Sequence, residues 1–561
     1  MSQRFVSLIG ATVLIPLLAA CGGAPAATPL VSQKVMATAP LVLATAPPQA
    51  KATAPQAKAT APLPAATPMA AAAPPMVAAA PPLNGMNAPA VAPPAAEVLA
   101  TAPAQDQSIA SPAPVEPVVE NPFTQTSQDH LSTFAMDVDT ASYSMARNYL
   151  RNGALPPAES VRIEEFVNAF DYHYASPSQD AFGIAVEAAP SPFADTTKLV
   201  RIGIQGRRVD AGQRQDVALT FVVDASGSMS AENRLPLVKE SLKLLVSQLR
   251  PTDQVAIVVF GTTSYVKLEP TTGDQQSVIL KAIDSLENDG STNMDDGMWM
   301  GYALAGKQFK QGASNRVIVL SDGQANTGAT NPDEILQRVS DFKAQGIYLN
   351  TVGFGMGGYN DTMLERLADA GNGNYSYIDT IAEARTLFVQ KLTGTFEVVA
   401  KDAKIQVDFN PAVVGSYRLL GYENRAVADA DFRNDTVDAG EVGAGHQVTA
   451  LYEVVLTGQG SGNALTVQVR YADPKTGAVH ELQQPFADSA IRSDFLATTP
   501  EFRLAVAVAG FAEHLRGGSY AQSRPLKAIL AIAEQVAPQL ANDATSQELV
   551  ELITLAQQLG G

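Results

Sequence analysis

The sequence is poor in cysteine, histidine and positive charge, and each shortage excludes a class of function. One of the 561 residues is a cysteine, so no internal disulfide can form. The five histidines are scattered, and no cysteine or histidine cluster has the spacing of zinc ligands. Lysine and arginine total 38 against 56 acidic residues, which gives a formal net charge of −18. This acidity argues against nucleic acid, whose binding is dominated by cation–phosphate contacts, and against adsorption to anionic lipid by charge alone.

The single cysteine follows an apolar amino-terminal stretch. The apolar run over 5–18 is too short for a comfortable membrane span and is typical of a secretory signal. Leu18-Ala19-Ala20-Cys21 resembles the bacterial lipobox, which implies that residues 1–21 are a lipoprotein signal peptide and that Cys21 carries the lipid anchor. Gly22 stands where an aspartate would favour the inner membrane, so the resemblance implies an outer-membrane envelope protein, facing the periplasm or the cell surface. The alternative is a plain signal peptide with a chance cysteine.

Residues 22–120 are dominated by Ala, Pro, Thr and Val and contain no aromatic residue that could build a core. The tetrapeptide ATAP recurs five times. Proline at this spacing excludes a packed helical domain, and proline-rich chain stays extended. We therefore predict that this segment is a disordered tether.

From residue 121 onward the composition becomes globular, and the periodicity divides the chain into four regions. The pattern over residues 121–212 predicts a strand, helices and two further strands, and the pattern over residues 396–490 predicts a β-rich region. Residues 491–561 have the apolar spacing of helices. Between them, residues 213–395 alternate short apolar strands with amphipathic helices, which predicts a doubly wound, mostly parallel α/β sheet.

Strand-like runs flank this α/β region on both sides, over 182–208 and 403–486. Neither set needs to close a sandwich alone. We therefore predict that the α/β domain is inserted into a β-rich domain, with backbone pairing between the early and the late strands. The two ends of the insert should then lie close together, opposite the edge of the sheet that carries the candidate site.

Five oxygen-bearing side chains are predicted at that edge. Asp224, Ser226 and Ser228 follow the first apolar strand, Asp322 follows the third, and Thr292 lies in a loop between helices. The carboxyl ends of strands in such sheets are where ligands bind. Hard divalent cations take oxygen ligands, and two hydroxyls two residues apart suit adjacent corners of the octahedron that Mg²⁺ prefers. Only two of the five groups are carboxylates, and if they act through water, a bound ion stays electrophilic and has a corner to spare for an outside carboxylate.

These motifs carry a family resemblance. D-A-S-G-S at 224–228, Thr292 in GSTN and Asp322 in LSDG resemble the metal-ion-dependent adhesion site of von Willebrand factor A domains. The regions before and after the domain, including GYENR over 421–425, resemble those of a group of bacterial von Willebrand A-domain lipoproteins. The resemblance implies that the serines ligate Mg²⁺ or Mn²⁺ directly, and that the threonine and aspartates do so directly or through water. It also implies a protein partner that offers an Asp or Glu carboxylate.

Three functions remain open at this point. The leading one is a lipid-anchored envelope protein that binds a partner through the metal and is not an enzyme. The second is a metal-assisted hydrolase, although neither serine lies in G-x-S-x-G and no histidine is near in sequence. The third is an envelope organiser in which the metal only stabilises loops. Asp295 and Asp296 either favour a helix start capped by Asn293 or add charge near the metal.

Two further patterns are weaker. Gly353-Phe-Gly355-Met-Gly-Gly358 matches the dinucleotide fingerprint, but the predicted helix begins after the glycines, so we expect no nucleotide. An acidic stretch contains Asp429, Asp431, Asp435 and Asp438. It lacks the EF-hand pattern, and we predict a solvated loop rather than a Ca²⁺ site.

The lipid anchor gives the first testable prediction. Cys21→Ser should abolish incorporation of a metabolic fatty-acid label, because the sulfur that would carry the lipid is gone. The unchanged chain, expressed in parallel, should be labelled. An equal label in both would contradict the lipobox interpretation.

Overall fold

The computed structural model describes residues 120–560 apart from 137, 211, 324–334, 338–341, 343, 356–360, 438 and 541–543. The predicted signal peptide, Cys21 and nearly all of the predicted tether lie outside these residues. Within the described part of the chain, no helix is long and apolar enough to cross a membrane.

The amino-terminal flank contributes short strands, two helices and a hairpin. Its elements are β1 Thr124–Gln125, β2 Leu131–Ala135, α1 Ala141–Arg151, α2 Ile163–Asn168, β3 Phe182–Pro190 and β4 Lys198–Gly206. The hairpin strands β3 and β4 pair antiparallel along their whole length.

The α/β domain follows the flank and has the predicted doubly wound sheet. Its elements are β5 Val217–Asp224, α3 Leu235–Val246, β6 Gln254–Phe260, β7 Tyr265–Thr272, α4 Gln276–Asp284, α5 Met294–Lys307, β8 Ser314–Ser321, β9 Ile347–Phe354, α6 Asp361–Ala370, β10 Tyr375–Ile378, α7 Ile381–Arg385, a π-helical turn Thr386–Gln390 and α8 Leu392–Phe396. Among the described residues the strand order is β10-β9-β8-β5-β6-β7, parallel except for β7. Every residue of β5 is buried, as its continuous apolar run requires in a sheet covered on both faces.

Strands and then helices complete the chain. They are β11 Val398–Phe409, β12 Val414–Leu420, β13 Val442–Gly443, β14 Gln447–Leu456, β15 Asn463–Ala472, β16 Val479–Ala487, α9 Pro500–Arg516, α10 Leu526–Val536 and α11 Ala544–Gln558. The prediction of a β-rich region followed by helices is confirmed in this part of the structure.

The predicted pairing between early and late strands is present. Strand β14 forms an antiparallel ladder with β4, in which Ile202 is opposite Ala450. Strand β2 likewise pairs with β11, with Phe134 opposite Ile405. Strands from both sides of the α/β domain therefore build the same two sheets, and the insertion prediction is confirmed.

The two ends of the insert meet through backbone hydrogen bonds. The N–H of Gly445 donates to the carbonyl of Arg207 over 3.0 Å, and the N–H of Ala444 donates to the carbonyl of Glu397 over 2.7 Å. The carboxylate of Glu397 also accepts the N–H of Gln215. This junction lies at the amino end of β5, so the carboxyl edge of the α/β sheet faces away from it.

Alternation along β14 explains how the layers pack. Ala450 and Tyr452 face the core between the two antiparallel sheets, together with Val407 and Val467 from the opposite sheet. Leu451 points the other way, into the core formed with α1, α2 and the carboxyl-terminal helices. One strand therefore serves two cores, as a period of two allows.

Two predictions about the α/β domain need correction. Strand β7 was not predicted, because its edge position leaves Tyr265 and Val266 exposed and buries Leu268 on one face. The closing helix, predicted as one run over 381–394, is interrupted by the π-helical turn Thr386–Gln390. That turn bonds the N–H of Lys391 back to the carbonyl of Thr386 over 2.8 Å.

The junction gives a prediction about stability. A Cβ on Gly443 would lie 1.7 Å from the carbonyl oxygen of Gly394, a backbone atom that cannot move away without disturbing α8. Gly443→Ala should therefore destabilise the chain by about 3 kcal/mol or more. The measurement is urea unfolding of the full chain.

Gly212→Ala is the matched control, because a Cβ at this position meets nothing within 4 Å. It should change stability by at most about 0.5 kcal/mol. Equal stability of the two variants would contradict the close approach at the junction.

Candidate functional site

The first loop of the site follows β5, where both oxygens of the Asp224 carboxylate are held. One accepts the N–H of Ser226 over 2.9 Å, and the other accepts the hydroxyl of Ser321 over 2.6 Å. The donors come from the adjoining loop and from the end of β8. Asp224 therefore fixes the loop that carries the serines and ties it to the neighbouring strand.

The two predicted serine ligands are neighbours in space. Ser226 precedes the short 3₁₀ turn Gly227–Ser230, and its Oγ shares a hydrogen bond of 3.0 Å with the Oγ of Ser228. Ligands at adjacent corners of an Mg²⁺ octahedron, with metal–oxygen distances near 2.1 Å, are separated by about 3 Å. The spacing of the two hydroxyls fits a common divalent cation.

The loop before α5 is bound against the serine loop. The N–H of Gly227 donates to the carbonyl of Gly290 over 2.7 Å, and the side chain of Asn288 donates to the carbonyl of Ser226 over 2.9 Å. These bonds bring Thr292, which is fully buried, to the same edge of the sheet. The structure thus gathers the three predicted loops at one edge.

The remaining carboxylate is paired with a cation that the sequence analysis missed. Nη1 of Arg234 lies 2.7 Å from Oδ2 of Asp322 and also donates to the carbonyl of Ser228 over 2.6 Å. Arg234 is the residue before α3, and Asp322 follows β8. No local pattern marks this arginine, because its partner is 88 residues away along the chain.

The helix start at α5 has the predicted cap. Asn293 accepts the N–H of Asp296 over 3.3 Å and donates to the Asp296 carboxylate over 2.7 Å. The interpretation of Asp296 as part of a helix start is confirmed. Asp295 is buried in the first turn of the same helix, and its influence on a metal stays a prediction.

Burial raises the pKa of Asp224 to about 6, and the charge of Asp322 acts in the same direction. Hydrogen bonds from Ser321 and Ser226 oppose this rise without cancelling it. An ionised Asp224 is consequently destabilised at neutral pH, and a nearby cation would relieve that cost.

The donor set is rich in hydroxyls. Among the described residues, no group of three or more His, Cys, Asp and Glu side chains is gathered for a metal. The candidate site instead combines the carboxylates of Asp224 and Asp322 with the hydroxyls of Ser226, Ser228 and Thr292. Oxygen donors of this kind suit Mg²⁺ or Mn²⁺ and would hold neither a soft metal nor a metal that prefers imidazole.

The two weaker motifs have local structural roles where they are described. Gly355, in the glycine-rich stretch, has φ +87° and packs against Arg234, while 356–360 lie outside the described residues. In the acidic stretch, Asp429 accepts the hydroxyl of Thr133 and Asp435 pairs with Arg470. Asp438 lies outside the described residues.

The strand order and the loops at its carboxyl edge define a von Willebrand factor A-type α/β domain. Residues 218–391 match the von Willebrand factor type A domain family, and residues 113–201 match a family described as von Willebrand factor. The ranges 394–463 and 457–559 match the family described as Uncharacterized protein YfbK, C-terminal.

Similarity to one relative shows which family the chain belongs to. Uncharacterized protein YfbK of Escherichia coli (strain K12) is 36% identical over 441 residues, which cover 74% of this chain and 76% of YfbK. The chain belongs to the family of bacterial von Willebrand A-domain proteins with the YfbK carboxyl-terminal region, as the resemblance predicted. Domains of this type commonly mediate metal-dependent protein interactions.

More distant similarity includes a part of a longer human protein and a more divergent solved structure. Inter-alpha-trypsin inhibitor heavy chain H3 of Homo sapiens is 29% identical over 219 residues, covering 38% of this chain and 23% of that protein. The solved structure of von Willebrand factor type A from Catenulispora acidiphila is 16% identical, covers 65% of this chain and 89% of its own, and has a TM-score of 0.40.

The raised pKa of Asp224 gives a prediction about the metal-free chain. Folding favours the protonated carboxyl, so a stabilising contribution that is complete below pH 4 is lost as the pH rises to about 6. Asp224→Asn should therefore be more stable than the unchanged chain at pH 7.5 by roughly 2 to 3 kcal/mol, and nearly equal to it at pH 4. Urea unfolding in chelator measures the difference.

Asp210→Asn is the control, because Asp210 is exposed. It should change the free energy of unfolding by at most about 0.5 kcal/mol at either pH, as substitutions of exposed residues usually do. A pH-independent difference between Asp224→Asn and the unchanged chain would contradict the shifted pKa.

Proposed function

We propose that the chain binds a protein partner through one divalent cation, Mg²⁺ or Mn²⁺. Its ligands would be Asp224, Ser226, Ser228, Thr292 and Asp322, acting directly or through water. The observation that carries the proposal is the 3.0 Å separation of the two serine hydroxyls, at an edge that also holds both carboxylates.

The role of each residue follows from its contacts. Ser226 and Ser228 would occupy adjacent corners of the coordination sphere, and Asp224 holds their loop in place through the N–H of Ser226. When bound, the cation supplies an electrophilic position for an outside carboxylate. The hydroxyl ligands add no negative charge to that position, which favours an Asp or Glu side chain of the partner.

The setting is the bacterial envelope. A lipid on Cys21 would anchor the chain in the outer membrane, and the segment 22–120 would separate the folded part from the bilayer. The proposed partner-binding edge faces away from the junction with the antiparallel sheets.

Catalysis is the less supported alternative. The sequence between 174 and 445 contains no histidine, so the α/β domain has no imidazole to act as a general base. The side chains described in contact with the site loops include hydroxyls, an arginine and an asparagine. A binding role requires only that these groups hold the ion and the loops around it.

Loss of both serine hydroxyls should abolish metal binding. The double variant Ser226→Ala/Ser228→Ala removes two neighbouring ligands but leaves Asp224 and the core unchanged. Calorimetric titration of the full chain should give saturable Mg²⁺ or Mn²⁺ binding at or below millimolar concentration, and none for the variant.

Ser230→Ala, at the exposed end of the same turn, is the matched control and should bind as the unchanged chain does. Failure of the unchanged chain to bind either ion would remove the basis of the proposal. Capture from envelope extract, compared in Mg²⁺ and in chelator, then separates partner binding from loop stabilisation. A partner retained equally in chelator would favour the organiser.

A further inference from the structure

Arg234 lies at the carboxyl edge of the α/β sheet, beside the candidate metal site. Its side chain is 16% exposed, and that of its partner Asp322 is 2% exposed. One guanidinium nitrogen contacts both Asp322 and the carbonyl of Ser228, so it joins the loop after β8 to the serine loop. A guanidinium is charged at every physiological pH, and this charge is therefore a permanent part of the site.

The position of the arginine is fixed from two sides. Its carbonyl accepts the N–H of Val238 over 2.8 Å, and its own N–H donates to the carbonyl of Ala231 over 3.0 Å. On the other side, a Cβ on Gly355 would lie 2.4 Å from Nε and 2.7 Å from Cγ of Arg234. The side chain of Arg234 therefore fits against residue 355 because that residue is glycine and has no Cβ.

The charges of the site explain what such a cation does. At neutral pH the ionised carboxylates of Asp224 and Asp322 contribute two negative charges, and Arg234 removes one of them. A divalent cation would bring the net charge to +1, and a carboxylate from a partner would bring it to zero. With a neutral residue at 234, the metal alone would neutralise the site, and the partner's carboxylate would bring excess negative charge.

We propose that Arg234 sets the selectivity of this site, because its fixed positive charge weakens the hold on the divalent cation and strengthens the hold on the partner's carboxylate. The inference rests on the proposed function of the same site. It assigns opposite effects on the two ligands to one side chain. If Arg234 only held α3 against the loop after β8, its removal would weaken the binding of both the cation and the carboxylate, or of neither.

Arg234→Gln removes the charge and ends in a neutral amide whose terminal atoms stand level with Nε of the arginine. In the full chain, this variant should bind Mg²⁺ at least about 10-fold more tightly by calorimetry, because the repulsion between the cation and a neighbouring positive charge is removed. Arg234→Lys keeps the charge and should stay within about 3-fold of the unchanged chain. Arg385→Gln, an exposed arginine on α7, is the matched control and should have no effect.

The second arm uses acetate as the carboxylate probe. With Mn²⁺ bound, a carboxylate that replaces water on the ion lowers the water-proton relaxation rate. The half-saturating acetate concentration should be about 10-fold higher for Arg234→Gln than for the unchanged chain. Arg234→Met, which keeps an aliphatic stem beside Gly355, repeats both measurements if the glutamine variant does not fold.

The outcomes separate the two proposals. If the unchanged chain binds neither ion, the proposed function fails and takes this inference with it. If the unchanged chain binds metal but Arg234→Gln binds it no more tightly, the inference is overturned and the proposed function stands. Equal loss of acetate binding in the lysine and glutamine variants also overturns it, because the shape of the arginine would then matter and its charge would not.

Discussion

The antiparallel ladder between β4 and β14 is the constraint on which the rest of the architecture depends. It pairs β4, which precedes the α/β domain, with β14, which follows it, from Lys198 opposite Val454 to Gln205 opposite Gln447. The ladder completes one sheet of the sandwich and forces the two ends of the insert to meet. Close approach there requires residues without side chains, and Gly443 lies against the carbonyl of Gly394 for this reason. The carboxyl edge of the α/β sheet, which carries the candidate site, lies at the other end of the parallel strands.

Buried ion pairs hold the α/β domain to the elements around it. Arg147 on α1 contacts Asp379 and Glu383 at the closing segment of the α/β domain and Glu548 on α11. Removing one partner of such a group leaves an uncompensated charge away from water. These ion pairs therefore oppose separation of α1 and α11 from the α/β domain. The π-helical turn Thr386–Gln390 lies in a segment held by Arg147 on one side and by the junction on the other.

The sequence predicted what depends on apolar periodicity and on motifs at strand ends. The buried run Val217–Asp224 and the strand-end positions of Asp224 and Asp322 are set by local pattern, and the structure brings the three loops together. Strand β7 escaped prediction because an edge strand with Pro270 buries too little to show a pattern. Arg234 escaped because its function comes from a contact with Asp322 that only the folded sheet creates. Local signals specify elements, whereas charge pairing across loops is a property of the assembled edge.

The carboxylates of Asp224 and Asp322 have different surroundings. This difference decides how costly each negative charge is in the metal-free chain. Asp224 is buried and held by neutral donors, so its pKa rises to about 6 and its charge is costly. Asp322 has the permanent charge of Arg234 beside it. The first carboxylate therefore stores a driving force for binding a cation, while the second is already compensated within the fold. A cation at this edge would offset the cost of the Asp224 charge and would find the Asp322 charge already balanced by Arg234.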